Sequence, residues 1–174
     1  MNFAVSAIGR DRPGIVAAIS GVLLELGGNI DDSQMSILHG HFAVMLIVSV
    51  PEGVSQGELA RRLDRVREEL GLEGLAVSAL DELSPAATPT HVLTVYGADH
   101  PGIVHAVSSA LAGRGVNITD LRTRRTGGED APVYLMVMEI AVAGEPEALA
   151  EELREVGGEA AVEVSLRELP SDSL

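Results

Sequence analysis

The sequence predicts an α+β fold built from two copies of one unit, each with the element order β-α-β-β-α-β. The first observation behind this prediction is an internal repeat. Residues 9–32 and 97–120 are identical at 13 of 24 positions, with GRDRPGIV in the first copy and GADHPGIV in the second. The second observation is that hydrophobic residues change between strand and helix spacing in the same order in both copies. Repetition at one constant offset indicates a tandem duplication.

The joint between the copies lies in SPAATPT, residues 84–90, where two prolines and small residues interrupt the periodic pattern. Each copy needs a small hydrophobic core of its own. Because aromatic residues make up only 2% of the chain, these cores must consist of Val, Leu, Ile, Ala and Met. We therefore expect a first domain over residues 1–84, a linker over 85–90, a second domain over 91–170 and a short tail over 171–174.

The elements of the first copy follow from spacing and from turn residues. Asn2 to Ile8 is a short apolar run, typical of a strand, that ends at Gly9. From Pro13 apolar residues recur at helical spacing as far as the Gly-Gly pair at 27–28, and proline suits a first helical turn. Two strands follow, at Asn29–Leu38 and His41–Val50. An amphipathic helix within SQGELARRLDRVREEL and a closing strand near Glu73–Leu80 complete the unit.

The second copy repeats this order. We expect strands near His91–Tyr96, Val116–Thr126, Val133–Val142 and Glu159–Leu166, and helices near Pro101–Arg114 and Glu145–Val156. Right-handed crossovers place both helices of such a unit on one face of an antiparallel sheet, the split βαβ or ferredoxin-like arrangement. The central strands FAVMLIV and VYLMVM are apolar on both sides, so the face opposite the helices also needs cover. We expect another unit to supply it, within the chain or in a homodimer.

The composition excludes several classes of function. The formal net charge is −14, from 12 basic residues, all Arg, and 26 acidic ones, and neither half of the chain has a basic face for nucleic acid or an anionic membrane. The absence of Cys excludes disulfides, thiol nucleophiles and cysteine metal sites. The N-terminal residues are not expected to form a signal peptide, and no apolar run in this sequence reaches membrane length. We expect a cytoplasmic protein with no metal, no cofactor and no direct contact with nucleic acid.

The repeated corner between the first strand and the first helix has two interpretations. In the architectural one, Gly9 takes a backbone angle that other residues avoid, Asp11 caps the helix, and Gly14 lets the helix approach the sheet. In the binding one, unpaired N–H groups at the helix N-terminus hold a carboxylate and Asp11 holds an ammonium group, which together fit a free amino acid. Asn29, at the start of the next strand, then brings an amide to the same end of the sheet.

These motifs resemble those of ACT domains, regulatory modules that bind small metabolites, usually amino acids. The resemblance rests on GRDRPGIV and GNIDDS in one copy and on GADHPGIV and GVNITD in the other, and it covers almost the whole chain. The stretch NIDDSQMSILHGHFAVMLIVSV is similar to the subgroup that includes glycine cleavage system transcriptional repressors. The resemblance implies a sensor of an amino acid such as glycine or serine that is not an enzyme and acts through a protein partner such as a transcription factor. It also implies ligand contacts between paired units, at Asp11, Arg12, Gly14, Ile15 and Asn29 and at Asp99, His100, Gly102, Ile103 and Asn117.

Other interpretations stay open beside this one. The corners differ, with His100 in place of Arg12, so two sites of unequal affinity and a single working site both agree with the sequence. A ligand-free interaction module would use the sheet faces for assembly alone. An acylphosphatase-like hydrolase would need an Arg after the first strand, and the second copy lacks it. His39 and His41 lack a third metal ligand, and Arg122–Arg125 is expected to be a charged sheet edge rather than an anion site.

Overall fold

The computed structural model describes residues 1–83, 85–127 and 132–170 and divides into two compact units, Met1–Ser84 and Pro85–Leu174. Each unit follows the order β-α-β-β-α-β and has a four-stranded antiparallel sheet, which confirms the predicted fold class. Part of the joint, most of the longer turn of the second copy and the tail lie outside the described residues, at 84, 128–131 and 171–174.

Unit 1 has a four-stranded sheet with two edge strands. Its elements are β1 (Asn2–Arg10), α1 (Ile15–Glu25), β2 (Asn29–Leu38), β3 (His41–Ser49), α2 (Gln56–Leu70) and β4 (Gly74–Leu80). The strand order is β2-β3-β1-β4, so β2 and β4 are the edges. Because β3 is antiparallel to both β1 and β2, these two strands run in the same direction. His39 and Gly40, both with positive φ, form the two-residue hairpin turn between β2 and β3.

Unit 2 repeats this topology with the strand order β6-β7-β5-β8. Its elements are β5 (His91–Ala98), α3 (Ile103–Gly113), β6 (Asn117–Thr126), β7 (Val133–Ala141), α4 (Pro146–Glu159) and β8 (Val162–Glu168). The sequence prediction ended α4 too early and began β8 at Glu159, which is wrong because Glu159 is helical. The cause is Gly157, where a Cβ would lie 2.5 Å from Cγ2 of Val164. Glycine here lets the helix continue close above β8 instead of ending it.

The two helices of each unit cover one face of its sheet and bury a separate core. In unit 1 the alternate residues Phe3, Val5 and Ala7 of β1 are almost fully buried, together with Leu23 of α1 and Leu63 of α2. Among the described residues of unit 2, those that are buried include no aromatic side chain, and two methionines contribute to the core; they include Leu93, Val95, Leu111, Met136, Met138, Ile140 and Leu153. None of the described helices is long and apolar enough to cross a membrane.

The sheet face opposite the helices is apolar only in part. In unit 1 the side chains of Ile8 and Met45 on this face are about half exposed, and Ser6 and Gln34 lie beside Met45 in neighbouring strands. The expectation that another unit covers this face stays a prediction.

Candidate functional site

The two corners have the same backbone conformation. Gly14 and Gly102 are the N-caps of α1 and α3, with φ of 97° and 102° and ψ of −12° and −13°. These angles match the third position of a type II turn, in which Pro is common at the second position and Gly at the third. Pro13 therefore belongs to the turn, and α1 begins at Ile15 rather than at Pro13 as predicted.

The roles expected for the two glycines of the corner are wrong. Gly9 lies within β1 without a positive φ, and a Cβ there would lie 3.0 Å from Cδ2 and 3.1 Å from Cα of Leu72. At Gly97 a Cβ would be closer still, 2.8 Å from Cγ1 of Val162. A Cβ on Gly14 would meet no atom within 4 Å. Gly9 and Gly97 thus allow close approach of a neighbouring segment, whereas Gly14 supplies the left-handed backbone of the turn.

Asp11 and Asp99 are not helix caps, because neither α1 nor α3 has a side-chain cap. Their backbone N–H groups donate instead to Gly40 at 2.9 Å and to Pro132 at 3.2 Å, which ties each corner to the connection between the next two strands. The Asp11 carboxylate is exposed and makes no hydrogen bond or ion pair with the described residues. The Asp99 carboxylate lies 3.3 Å from Nε of Arg125 on β6. The first corner therefore offers an unpaired carboxylate, and the second does not.

Arg12 and His100 both lie at the C-terminal end of the second helix of their unit. A Cβ on Gly71, the C-cap of α2, would lie 3.7 Å from Nη2 of Arg12. The carbonyl of Ala160, the C-cap of α4, lies 2.6 Å from Nε2 of His100. Cations are stabilised near the C-terminal end of a helix by its unpaired carbonyl groups. Both side chains thus lie beside the C-terminal end of a helix, and that of His100 is hydrogen-bonded to it.

The His100 ring faces a carbonyl oxygen at each nitrogen. Nε2 lies 2.6 Å from the Ala160 oxygen, and Nδ1 lies 3.1 Å from the Pro101 oxygen. Only the imidazolium form can donate from both nitrogens. The hydrogen bonds to Pro101 and Ala160, and to a smaller extent the charge of Asp99, raise the pKa of His100 against an opposing effect of desolvation.

Asn29 lies at the far end of the sheet from the corner of its own unit. It is opposite Ser49, which pairs with Asn2 at the start of β1, whereas the corner follows Arg10 at the end of β1. The nine residues of β1 are separated by eight steps of about 3.3 Å, which places its two ends roughly 26 Å apart. The expectation that the amide reaches the corner within one unit is wrong, and the same register puts Asn117 far from its own corner.

A β-bulge follows the asparagine in both units, between Ile30 and Asp32 in β2 and at the same place in β6. In unit 1 the carboxylate of the bulged residue, Asp31, accepts hydrogen bonds from Nδ2 of Asn29 at 2.9 Å and from Oγ of Ser49 at 3.1 Å. Thr119 takes the place of Asp31 in unit 2, and its hydroxyl donates to the Glu139 carbonyl. The surroundings of the two asparagines therefore differ in charge.

Ile15 and Ile103 are each only 2% exposed and belong to the two cores. Their side chains cannot contact a ligand in the corner, so only their backbone N–H groups are available to one. A cleft that the sequence did not reveal runs between α1 and β2 and is lined by Val16, Ile19, Ser20, Ile30, Val44 and Leu46. The apolar residues that line it belong to the hydrophobic faces of the helix and strands, where the sequence pattern predicts core residues and no cleft.

Side chains suited to catalysis or metal binding are dispersed in the part of the chain that the structure describes. No three His, Asp or Glu residues of that part form a group that could hold a metal ion. Ser20 and Ser108 donate to the carbonyls of Ala17 and His105 within their own helices. Arg122 and Arg125 lie on opposite faces of the sheet, since the register pairs them with Val137 and Tyr134.

Two β-α-β-β-α-β units, each with a glycine-capped corner at the start of its first helix, define a tandem of small regulatory modules. Models of the ACT domain match residues 2–75 and residues 91–158. A UPF0237 protein of Methanopyrus kandleri is 46% identical over 70 residues, which are 40% of this chain and 78% of that protein. The chain belongs to the ACT-domain family, which confirms the resemblance found in its motifs.

Two solved structures match almost the whole chain. The structure of an unknown protein from Galdieria sulphuraria has 30% sequence identity and a TM-score of 0.76, and the match covers 97% of this chain and 98% of that one. The structure of a putative glycine cleavage system transcriptional repressor has 18% identity and a TM-score of 0.69, with 98% of both chains covered. At 18% identity the similarity establishes a shared fold.

Proposed function

We propose that this protein senses a free amino acid, with glycine and serine as the first candidates, and passes the signal to a protein partner such as a transcription factor. It acts by binding rather than by catalysis, in the cytoplasm. The observation that carries this proposal is the unpaired carboxylate of Asp11 beside the N-terminus of α1. Membership in the ACT-domain family supports the regulatory part of the proposal.

The corner of unit 1 offers a partner for each of the two charged groups of a free amino acid. The first N–H groups of α1 have no partner within the helix, because the first hydrogen bond of this helix runs from the Ala18 N–H to the Gly14 carbonyl. These N–H groups and the helix dipole favour a carboxylate. The Asp11 carboxylate favours an ammonium group, and no Cβ on Gly14 obstructs the approach. Because Ile15 is fixed in the core, the N–H groups are held in place before a ligand arrives.

The asparagines enter this proposal only from a second unit. Since Asn29 lies roughly 26 Å from the corner of its own unit, a ligand held by both groups must take the corner from one unit and the amide from another. We propose that a second copy of the chain supplies that unit, in a homodimer.

The corner of unit 2 is the weaker candidate of the two. Its carboxylate, Asp99, is already paired with Arg125, and His100 is bound to the end of α4. A ligand there would have to displace Arg125 before its ammonium group could reach Asp99. We therefore propose Asp11, Arg12, Gly14 and Ile15 as the primary site and Asp99, His100, Gly102 and Ile103 as a secondary one.

Calorimetry with glycine and serine tests the proposal on the wild type, Asp11→Asn and Asp99→Asn. A thermal-shift screen of the twenty amino acids chooses the titrant, because a ligand that binds only the folded state raises Tm. A hydrogen bond to a charged group contributes about 1.5–3 kcal/mol, so Asp11→Asn should weaken binding about tenfold or more, and Asp99→Asn should have a smaller effect. Because Asp11 does not cap α1, the Asp11→Asn variant should have the same Tm as the wild type.

Two results would contradict this assignment. Equal affinity in all three proteins, for an amino acid that binds the wild type, would place the pocket elsewhere. No thermal shift with any of the twenty amino acids would favour a ligand-free interaction module. The protein partner is part of the proposal because the net charge of −14 opposes direct binding to DNA.

A further inference from the structure

We infer that unit 2 contains a further small-molecule site, a pocket at the far end of the unit from its corner, which binds a free amino acid with an aliphatic side chain such as leucine. The pocket has a volume of about 300 Å³ and lies where β6 begins and β7 ends, beside the start of β5. The corner follows Ala98 at the other end of β5. The site goes beyond the proposed function, because it is separate from both corners and takes another class of side chain.

A shorter loop after β7 opens this pocket in unit 2. In unit 1, three residues separate Pro51 from Ser55, the N-cap of α2. In unit 2, Gly144 alone separates Ala143 from the N-cap of α4. One of the three additional positions of unit 1 is Val54, which packs against the core of that unit. The loop of unit 2 is two residues shorter and has no apolar side chain at this place.

Two substitutions open the same space further. Leu26, which is 9% exposed in the core of unit 1, is replaced by Arg114, whose guanidinium forms an ion pair with a glutamate of α4. Pro51 packs over Gly27, where a Cβ would lie 3.3 Å from the proline Cγ, whereas a Cβ on Gly115 would meet no atom within 4 Å. The side chains that fill this end of unit 1 thus have no counterpart in unit 2. The pocket is therefore a difference between the two copies and not a feature of the fold.

The walls of the pocket are aliphatic and held in place. They are formed largely by Val116, Val142 and Leu149. Leu149 is 2% exposed, so packing in the core sets its position. The N–H of Val142 donates to Oγ1 of Thr90 at 2.9 Å, which fixes the second wall. A volume of about 300 Å³ is at the lower end of the range for ligand pockets, so the pocket suits a small molecule with an aliphatic side chain.

Two residues that line the pocket carry a free group of each charge. Nε of Arg114 is bound to Glu152 at 2.6 Å, but its two Nη groups make no hydrogen bond or ion pair with the described residues. These N–H groups can bind a carboxylate. The carboxylate of Glu145 is exposed, does not cap α4 and has no partner among the residues that the structure describes, so it can bind an ammonium group. An amino acid carries both charged groups on one carbon, next to the side chain that the apolar walls accept.

Other classes of ligand fit this pocket less well. Glycine and serine have no apolar side chain to bury against Val116 and Val142. A dicarboxylate or a phosphorylated molecule would bring additional negative charge close to Glu145 and to Glu147 in the first turn of α4. An aliphatic amino acid is the class that matches the walls and both charges.

Calorimetry with L-leucine tests the site in the full chain. Leucine should bind the wild type, whereas isovalerate, which lacks the ammonium group, and isoamylamine, which lacks the carboxylate, should bind about threefold or more weakly. Arg114→Leu should weaken leucine binding by about tenfold or more, because it removes the cation and places the residue of unit 1 in the pocket. Its Tm should not fall, since Leu26 packs well at the same place in unit 1. Glu145→Gln should weaken binding by about threefold or more.

The matched control is Arg62→Leu in unit 1. Arg62 joins the two helices of that unit through Glu25 at 3.1 Å, as Arg114 does in unit 2, so its loss should leave leucine affinity unchanged. Asp11→Asn should also leave it unchanged, which separates this site from the proposed corner site. Circular dichroism and Tm establish that each variant is folded, and Glu145→Gln decides if Arg114→Leu does not fold.

Three results would overturn the inference. The first is a wild type that binds none of leucine, isoleucine and valine. The second is equal leucine affinity in the wild type and in folded Arg114→Leu and Glu145→Gln. The third is leucine binding that depends on Asp11 and not on Arg114, which would assign leucine to the corner and leave the proposed function intact. Failure of the corner site itself is recognised separately, from glycine and serine titrations of Asp11→Asn.

Discussion

A single methyl group added at Gly97 should destabilise unit 2 strongly. The Cβ of Gly97→Ala would lie 2.8 Å from Cγ1, 3.0 Å from Cα and 3.1 Å from Cβ of Val162. The contact with Cγ1 forces the Val162 side chain out of its preferred rotamer, and the contacts with Cα and Cβ remain, so β5 and β8 must also move apart where Gly97 and Val162 are paired. Overpacking of this kind costs about 1–3 kcal/mol. For a domain of this size, each 1 kcal/mol lowers Tm by about 4–8 °C.

The control is Gly102→Ala in the same unit. Its Cβ would meet no atom within 4 Å, but φ is 102°, so the cost is backbone strain of about 1–2 kcal/mol. Val162→Ala separates the two causes, because removing Cγ1 should recover part of the loss in Gly97→Ala and none of the loss in Gly102→Ala. Urea unfolding of the single and double variants measures this coupling, expected at about 0.5 kcal/mol or more for the first pair. Wild-type stability in Gly97→Ala, or additive losses with Val162→Ala, would refute the steric explanation.

Two further predictions concern His100 and the cap of α2. The folded-state pKa of His100 is raised above the unfolded value of about 6.5, so the stabilisation is complete below about pH 6.5 and disappears as the pH rises through the folded-state pKa. As the pH is raised from about 5 to 9, the Tm of His100→Gln should therefore fall by less than the Tm of the wild type. An equal fall in Tm for both proteins in melting scans would contradict this. The hydroxyl of Ser55 accepts the N–H of Glu58 at 3.2 Å, so Ser55→Ala should cost about 1 kcal/mol in urea unfolding. Glu145→Ala, at an N-cap without a side-chain hydrogen bond, should cost less.

The order of the elements could be predicted because the duplication presents each hydrophobic pattern twice. The boundaries failed at two places where one short motif fits two structures. Pro13-Gly14 suits a first helical turn as well as a type II turn, and only the positive φ of Gly14 decides between them. The Gly-Gly pair at 157–158 normally indicates a helix end, but the proximity of Val164 makes glycine necessary inside α4.

The site could be predicted in part. The position of Asp11 beside α1 follows from local sequence, whereas its failure to cap the helix depends on the turn at Gly14. The misplacement of Asn29 was avoidable, because a right-handed crossover makes β1 and β2 parallel and puts the start of β2 beside the start of β1. The contact of His100 with Ala160 joins residues 60 positions apart, and no local pattern reveals it.

The parallel course of β1 and β2 has a thermodynamic consequence. It keeps the corner and the asparagine of one unit at opposite ends of the sheet, so in the proposed homodimer a ligand that touches both kinds of group joins two copies of the chain. Ligand affinity and self-association are then reciprocally linked, since each must strengthen the other by the same factor. Occupancy would rise with protein concentration at a constant level of amino acid. Such a sensor reports the abundance of its own chain as well as that of the metabolite.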